Sequence, residues 1–352
     1  MNLKKVFAIM LCLTLLLVGC TKTGDDNNNN NTDTDNKDTS KDKTFKVAMV
    51  TSAGGLGDRS YNDSAYEGLK KIEKDLEMEI KVVEPADVSE GEKYLTELAK
   101  AGYDLVCTLE YGHADILNTV APQFPDTRFA IFNIVVDQPN VTSVIFKEHE
   151  GSFLAGALAA MVTTDESIDK TNDQKVISAI GGVQSPGIDK FIVGYEEGAK
   201  YIDPDIQVLK GYSNSFGDPA KGKELALVQI DQGSDVVYQI AGGTGEGVFE
   251  AVKEKNVYAV GVDSDQDYIV PGNILTSMMK RLDMAMVMLA EKLQDGTIGN
   301  ENLLELGLKE GTELSPMEHT KDMLKPEYLD QLEEIREKIA SGEIKVTDVT
   351  KE

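Results

Sequence analysis

Several polar, glycine-rich stretches of this 352-residue chain hold the residue types from which a small-molecule site is built. In the first, Gly54 to Asn62, Tyr61 stands with Asp58 and Asn62 close by. An aromatic face beside short carboxylate and amide groups suits a flat ring that is apolar on its faces and polar at its edges. The same residues also suit a structural role. Asp58 and Ser60 are capping types standing before a helical run that starts near Asn62, with Tyr61 as a packing residue.

Other patterns imitate chemistry without completing it. Gly217 to Lys223 matches the spacing of a phosphate loop, yet Glu224 follows where Ser or Thr must hold magnesium. Gly243, Gly245 and Gly247 lack the last glycine of a dinucleotide fingerprint, so they more simply let backbone approach a ligand and open the next helix. Asp263, Asp265 and Asp267 alternate like a calcium loop, but Tyr268 stands where the sharp turn needs Gly and no Glu closes the loop. The three histidines, His113, His149 and His319, lie far apart, and His149 is expected to make a polar contact near a hinge. No G-x-S-x-G elbow occurs. The expectation is a protein without metal, cofactor or catalysis.

The ends bound the compartment. Lys4 and Lys5 precede an apolar run, Val6 to Val18, closing on Leu17-Val18-Gly19-Cys20, which reads as a signal peptide over 1–19 ending at a lipidated Cys20. Two or more acyl chains hold a protein durably on a membrane, here on its extracytoplasmic face. Residues 21–43 are Asn, Asp, Thr, Lys, Ser and Gly with no apolar side chain, so 20–43 is a lipidated cysteine and tether. With Cys12 in the signal peptide and Cys20 acylated, Cys107 alone remains and excludes a disulfide framework. A formal net charge of −26 argues against nucleic acid as a partner.

The elements that must position these residues alternate. Strands are predicted at 46–51, 80–84, 104–108, 128–133, 143–146, 175–181, 206–211, 235–240, 257–262 and 274–278, with helices such as 62–76, 90–101, 220–232 and 326–340 around them. An Ala-rich helical stretch, 151–162, separates two strand–helix series, so 44–352 is expected to form two α/β lobes with doubly wound parallel sheets. Lobe 1 takes about 44–148 plus a return segment near 278–300, and lobe 2 takes about 149–275 plus part of the C-terminal region. The loops leaving the C-terminal strand ends form the ligand crevice in such sheets. The chemistry-bearing stretches follow the first, third, eighth and ninth strands.

Asp58–Gly68 (DRSYNDSAYEG), Phe146–Gly156 (FKEHEGSFLAG), Ala241–Gly245 (AGGTG), Gly261–Gln266 (GVDSDQ) and Thr276–Lys280 (TSMMK) resemble the basic membrane protein family. Its members are substrate-binding lipoproteins of ABC transporters, purine nucleoside receptors among them. The resemblance spans about residues 45–295 and implies a type I periplasmic-binding-protein fold with a hinge of about three crossings. It implies that Tyr61, at a position usually held by Phe, stacks on a base whose edge Asp58 and Asn62 reach, with Asp115 near the same end. Gly242, Asp263 and Lys280 resemble the positions that hold ribose hydroxyls, a carboxylate accepting from two neighbouring hydroxyls with an ammonium donating back, although a plain salt bridge uses the same Asp263 and Lys280. Phe216 is the candidate opposite wall. The implied partners are a nucleoside, an ABC permease and its ATPase. A sugar, an autoinducer or another small polar ligand is the alternative within the binding class. A nucleoside hydrolase with calcium on the Asp263–Asp267 loop is the alternative outside it, disfavoured because 47–51 brings no Asp.

Overall fold

Val47 and Met49 point into one apolar cluster while Ala48 and Val50 point into another, and all four are wholly buried. A strand apolar on both faces belongs at the centre of a sheet covered on both sides. The structure, a computed structural model, describes residues 44–351. The expected signal peptide, the lipidation of Cys20 and the tether lie outside the described residues. Thr44–Glu352 form a compact unit.

The described strands are β1 (Lys46–Val50), β2 (Glu79–Val83), β3 (Leu105–Thr108), β4 (Arg128–Phe132), β5 (Val141–Phe146), β6 (Val176–Gly181), β7 (Gln207–Tyr212), β8 (Ser234–Ile240), β9 (Tyr258–Asp263), β10 (Ile274–Lys280), β11 (Leu303–Leu306) and β12 (Thr312–Leu314). The helices are α1 (Tyr61–Leu76), α2 (Gly91–Lys100), α3 (Ala114–Val120), α4 (Glu148–Thr163), α5 (Pro186–Ile202), α6 (Pro219–Asp231), α7 (Gly245–Lys255), α8 (Leu282–Gln294) and α9 (Pro326–Ala340).

Two six-stranded sheets result, ordered β11-β5-β4-β3-β1-β2 and β12-β10-β9-β8-β6-β7. Every pairing is parallel except that of β10 with β12. In the first lobe α1 and α8 cover one face of the sheet, and α2 and α3 the other. In the second, α4, α5 and α9 cover one face, and α6 and α7 the other. The α4 helix is buried on nearly every side, which is why its sequence is apolar all round. Truncating a wholly buried residue such as Leu158 to Ala would cost about 2–5 kcal/mol. Glycines let α4 and α5 touch backbone to backbone: a Cβ on Gly198 would lie 1.9 Å from the Phe153 carbonyl oxygen, and one on Gly156 1.9 Å from that of Tyr195.

The chain passes between the sheets at Lys147, at Arg281 and through Gly307–Gly311. The whole of β10, to Lys280, pairs in the second sheet, so the return to the first lobe starts with α8 and not near 278. The return also contributes β11, an edge strand that sequence patterning did not reveal. His149 is buried in the first turn of α4, and its Nδ1 has no hydrogen-bond partner among the described residues.

Candidate functional site

The C-terminal strand ends carry the loops at which the two lobes meet. After β1, the Asp58 carboxylate turns inward. Its Oδ1 accepts from the Ser60 and Asp63 backbone N–H at 2.9 and 3.1 Å, and its Oδ2 from the Asn62 N–H and Asn62 Nδ2 at 2.9 and 3.0 Å. The Asn62 and Asp63 N–H are free backbone donors of the first turn of α1, so Asp58 caps the helix. Burial nevertheless raises its carboxyl above the usual range. Asn62, 1% exposed, accepts from the Ser52 N–H at 2.9 Å through Oδ1 and so ties the end of β1 to α1. For both residues the geometry supports the capping and bracing alternative, with their polar atoms spent inside the loop.

Tyr61 is held at its tip. Its hydroxyl donates to the Leu109 carbonyl at 3.1 Å and accepts from Asn133 Nδ2 at 2.7 Å. Burial holds it well above its ordinary titration range, so it stays a neutral phenol. Asn133 follows β4 at a positive φ of 69°, is exposed, and accepts from Lys280 Nζ through its Oδ1 at 2.6 Å.

Lys280 ends β10 and is 3% exposed. Its ammonium lies 2.7 Å from Glu148 Oε1 and 5.1, 5.0 and 5.7 Å from the ring centres of Tyr61, Phe146 and Phe191. Lys190 meets the other Glu148 oxygen at 2.5 Å and donates to the Phe146 carbonyl at 2.8 Å. Burial pushes Glu148 up, and the two ammonium groups overcome it, leaving the carboxyl below its ordinary range. Lys280 therefore makes an ion pair, but with Glu148 at the hinge and not with Asp263.

Asp263 ends β9 in the left-handed region, at φ 67°. Its Oδ2 accepts from Ser60 Oγ across the lobes at 2.6 Å, while Oδ1 takes no hydrogen bond among the described residues. Burial pushes the carboxyl up to about 6 against the opposing field of Lys280 and the Ser60 bond. Two buried ammonium groups thus face two buried carboxyls, Glu148 and Asp263. This balance makes a polar centre tolerable between apolar rings.

The remaining expected residues fall elsewhere. Phe216, after β7, lays its ring over Gly182, where a Cβ would come within 2.2 Å of a ring atom. Its carbonyl accepts from the Thr244 N–H at 3.2 Å and faces Gly242, which opens the turn before α7 at φ 55°. A Cβ on Gly54 of the first lobe would lie 4.0 Å from that same carbonyl, so Phe216 stands opposite the first loop. Asp115 is exposed in the first turn of α3, and no bond joins it to Tyr61, Asp263 or Lys280 among the described residues. The structure therefore gathers Tyr61, Asp263 and Lys280 at one centre, places Phe216 and Gly242 on the facing wall, sets Asp58 and Asn62 behind Tyr61, and leaves Asp115 apart. Sequence reasoning offered Ser60 only as a helix cap and missed Asn133, Glu148 and Lys190. Asn133 directly follows a strand, the same position rule that points to Tyr61 and Asp263, and Glu148 lies beside His149 within the Phe146–Gly156 motif.

Asp263, Asp265 and Asp267 do not converge: Asp267 accepts from Ser277 and Ser315 hydroxyls at 3.1 and 3.2 Å. No group of three or more His, Cys, Asp or Glu is placed to hold a metal ion among the described residues. No described helix is long and apolar enough to cross a membrane.

Known proteins are similar to this chain in sequence and in fold. A CD4+ T-cell-stimulating antigen of Listeria monocytogenes serovar 1/2a is 35% identical over 98% of this chain and 99% of its own length. The ABC transporter nucleoside-binding protein BmpA of Lactococcus lactis is 34% identical over 87% of this chain and 88% of its own. Among solved structures, an ABC transporter solute-binding protein from Aeropyrum pernix K1 superposes with a TM-score of 0.78 at 27% identity, covering 86% of this chain and 93% of its own. The family model for PnrA-like ABC transporter substrate-binding proteins matches residues 45–350. Its span takes in both sheets and all three passages between them, and the chain belongs to that Bmp family, as a substrate-binding protein of an ABC transporter.

Proposed function

We propose that the ligand is a nucleoside, most simply a purine nucleoside, captured between the lobes for uptake, and that the protein performs no catalysis. The observation that carries this reading is the centre shared by Tyr61, Asp263 and Lys280. Asp263 Oδ1 is an unused acceptor, and Lys280 spends two of its three ammonium donors on Glu148 and Asn133. An acceptor and a donor side by side suit a vicinal diol such as that of ribose. The Tyr61 ring and the Phe216 ring serve as the two faces for the base, with Gly242 leaving backbone room beside Phe216. Asp58 and Asn62 contribute by fixing Tyr61, and Asp115, exposed at the start of α3, is kept as an acceptor for the base on the resemblance alone. The relative from Lactococcus lactis, named as nucleoside-binding, supports the same ligand class.

Closure around the ligand is the signal to the permease and ATPase, since a ligand stabilises the closed form by its extra affinity for it. Acylation at Cys20 keeps the receptor at the outer face of the membrane. The test is calorimetric titration of residues 44–352 with nucleosides, free bases, ribose and other sugars. Micromolar binding of nucleosides alone, about 8 kcal/mol, supports the reading, and sugar-only binding replaces it with the sugar-receptor alternative.

A further inference from the structure

Arg59 sits in the first-lobe loop at φ 50°, a conformation that costs a non-glycine residue energy and turns its carbonyl outward. That carbonyl accepts two hydrogen bonds from the second lobe, from Ser264 Oγ at 2.8 Å and Gln266 Nε2 at 2.9 Å. The orientation of the Gln266 amide is fixed by its surroundings. Its Oε1 accepts from the Val262 N–H at 2.9 Å, and a backbone N–H only donates, so the nitrogen must face Arg59. Gln239 Nε2 donates to the same Oε1 at 2.7 Å, and the Gln266 N–H donates to Ser277 Oγ at 3.0 Å. Gln266 is 1% exposed and is thereby anchored to β8, β9 and β10 at once. The Arg59 guanidinium meets Glu246 at 3.3 Å, but both side chains are exposed enough for that pair to contribute little.

We infer that the Arg59 carbonyl, gripped by Ser264 and Gln266, is a closing latch that sets the open–closed equilibrium of the lobes whatever ligand occupies the cleft. None of the three latch atoms, the Arg59 carbonyl oxygen, Ser264 Oγ and Gln266 Nε2, is needed to touch a ligand. A receptor whose binding-competent form is a fraction of the population shows an affinity reduced by that fraction, so loosening the latch weakens every ligand by one factor. The affinity part of this inference rests on the proposed ligand-binding role of the cleft, and the conformational part does not.

Ser264→Ala is the clean perturbation, because Ser264 Oγ makes no other bond among the described residues. Gln266→Glu is the stronger one: it keeps the acceptor for Val262 and Gln239 and replaces the donor to Arg59 with an oxygen. Two measurements are made on residues 44–352. Spin labels on Lys100→Cys in α2 and Lys253→Cys in α7 report the distance between lobes without ligand. Cys107 is buried, with its thiol held protonated, and does not compete for label. Calorimetry with two nucleosides of different base gives affinity.

Losing one hydrogen bond is expected to move the closed-to-open ratio about three- to tenfold toward open, and Gln266→Glu further, with melting temperature held in Ser264→Ala. The label distances lengthen, and both nucleosides weaken by the same factor. Unchanged distances together with unchanged affinity overturn the latch, as does weakening confined to one nucleoside, which makes these residues readers of the ligand instead. If no nucleoside binds at all while the ligand-free distances still lengthen, the latch stands and the ligand assignment falls.

Discussion

Asp263 gives the proposed site a pH dependence whose sign and size follow from its surroundings. Burial pushes its carboxyl up to about 6. If the ionised carboxylate is the acceptor for two ribose hydroxyls, affinity is full above that value and falls as the group is protonated. At pH 5, about one unit below, roughly one site in eleven is ionised, so the dissociation constant should rise about tenfold relative to pH 8, equivalent to about 1.4 kcal/mol. The stability of the unliganded fold moves the other way. A carboxyl whose folded value lies above its ordinary 3.8 binds its proton more tightly when folded, so its contribution is most favourable below about 3.8 and is lost as pH rises to about 6. Asp235 and Asp267, each also pushed up to about 6 by burial, add in the same direction. Titration calorimetry from pH 4.5 to 8 on the wild type and on Asp263→Asn, with melting temperatures at each pH, separates the two effects. The wild type should weaken in acid while Asp263→Asn binds weakly with a flat profile. A wild-type affinity that is flat through pH 6, or a sloped one in Asp263→Asn, refutes the assignment of Asp263 as diol acceptor.

Lys280→Met should weaken nucleoside binding at least a hundredfold and lower stability by about 2–3 kcal/mol, less than the full cost of orphaning a buried charge because Glu148 keeps Lys190. Equal melting temperatures for wild type and variant would contradict the buried charge balance. Tyr61→Phe removes only the hydroxyl between Leu109 and Asn133 and should keep affinity within a few-fold, whereas Tyr61→Ala should lose about ten- to a hundredfold. Calorimetry showing the two variants equal would remove the stacking role. Gly198→Ala forces a Cβ to 1.9 Å from the Phe153 carbonyl and should cost about 3 kcal/mol, read as a fall of several degrees in a thermal melt monitored by circular dichroism. An unchanged melt would mean that α4 and α5 separate freely.

Much of the architecture was legible because parallel sheets write it locally. Runs such as Lys46–Val50 and Tyr258–Asp263 are apolar on both faces and flanked by glycine-rich loops, and the crevice rule then led from strand ends to Tyr61 and Asp263, whereas Lys280 came through the family resemblance. Two of the four edge strands, β11 and β12, escaped. In β11 only Leu304 and Leu306 are buried, and β12 is three residues long, so neither leaves a pattern distinct from a polar loop. Partnerships were also hidden. Asn133 is 147 residues from Lys280 and Ser60 is 203 from Asp263, and no local signal pairs a residue with a partner at such distance. Asp58 and Asn62 illustrate the converse: a residue type suited to a ligand's edge is equally suited to a helix start, and in Asp58 the carboxylate takes four bonds within its own loop.

The most direct test of the receptor reading is a thermal-shift screen of residues 44–352 against nucleosides, bases, sugars and amino acids. A ligand at a hundred times its dissociation constant adds about 2.7 kcal/mol and raises the melting temperature by several degrees. Stabilisation by nucleosides, with ribose and free bases each giving less, is the expected result. Stabilisation by sugars or amino acids with no response to any nucleoside would contradict the account.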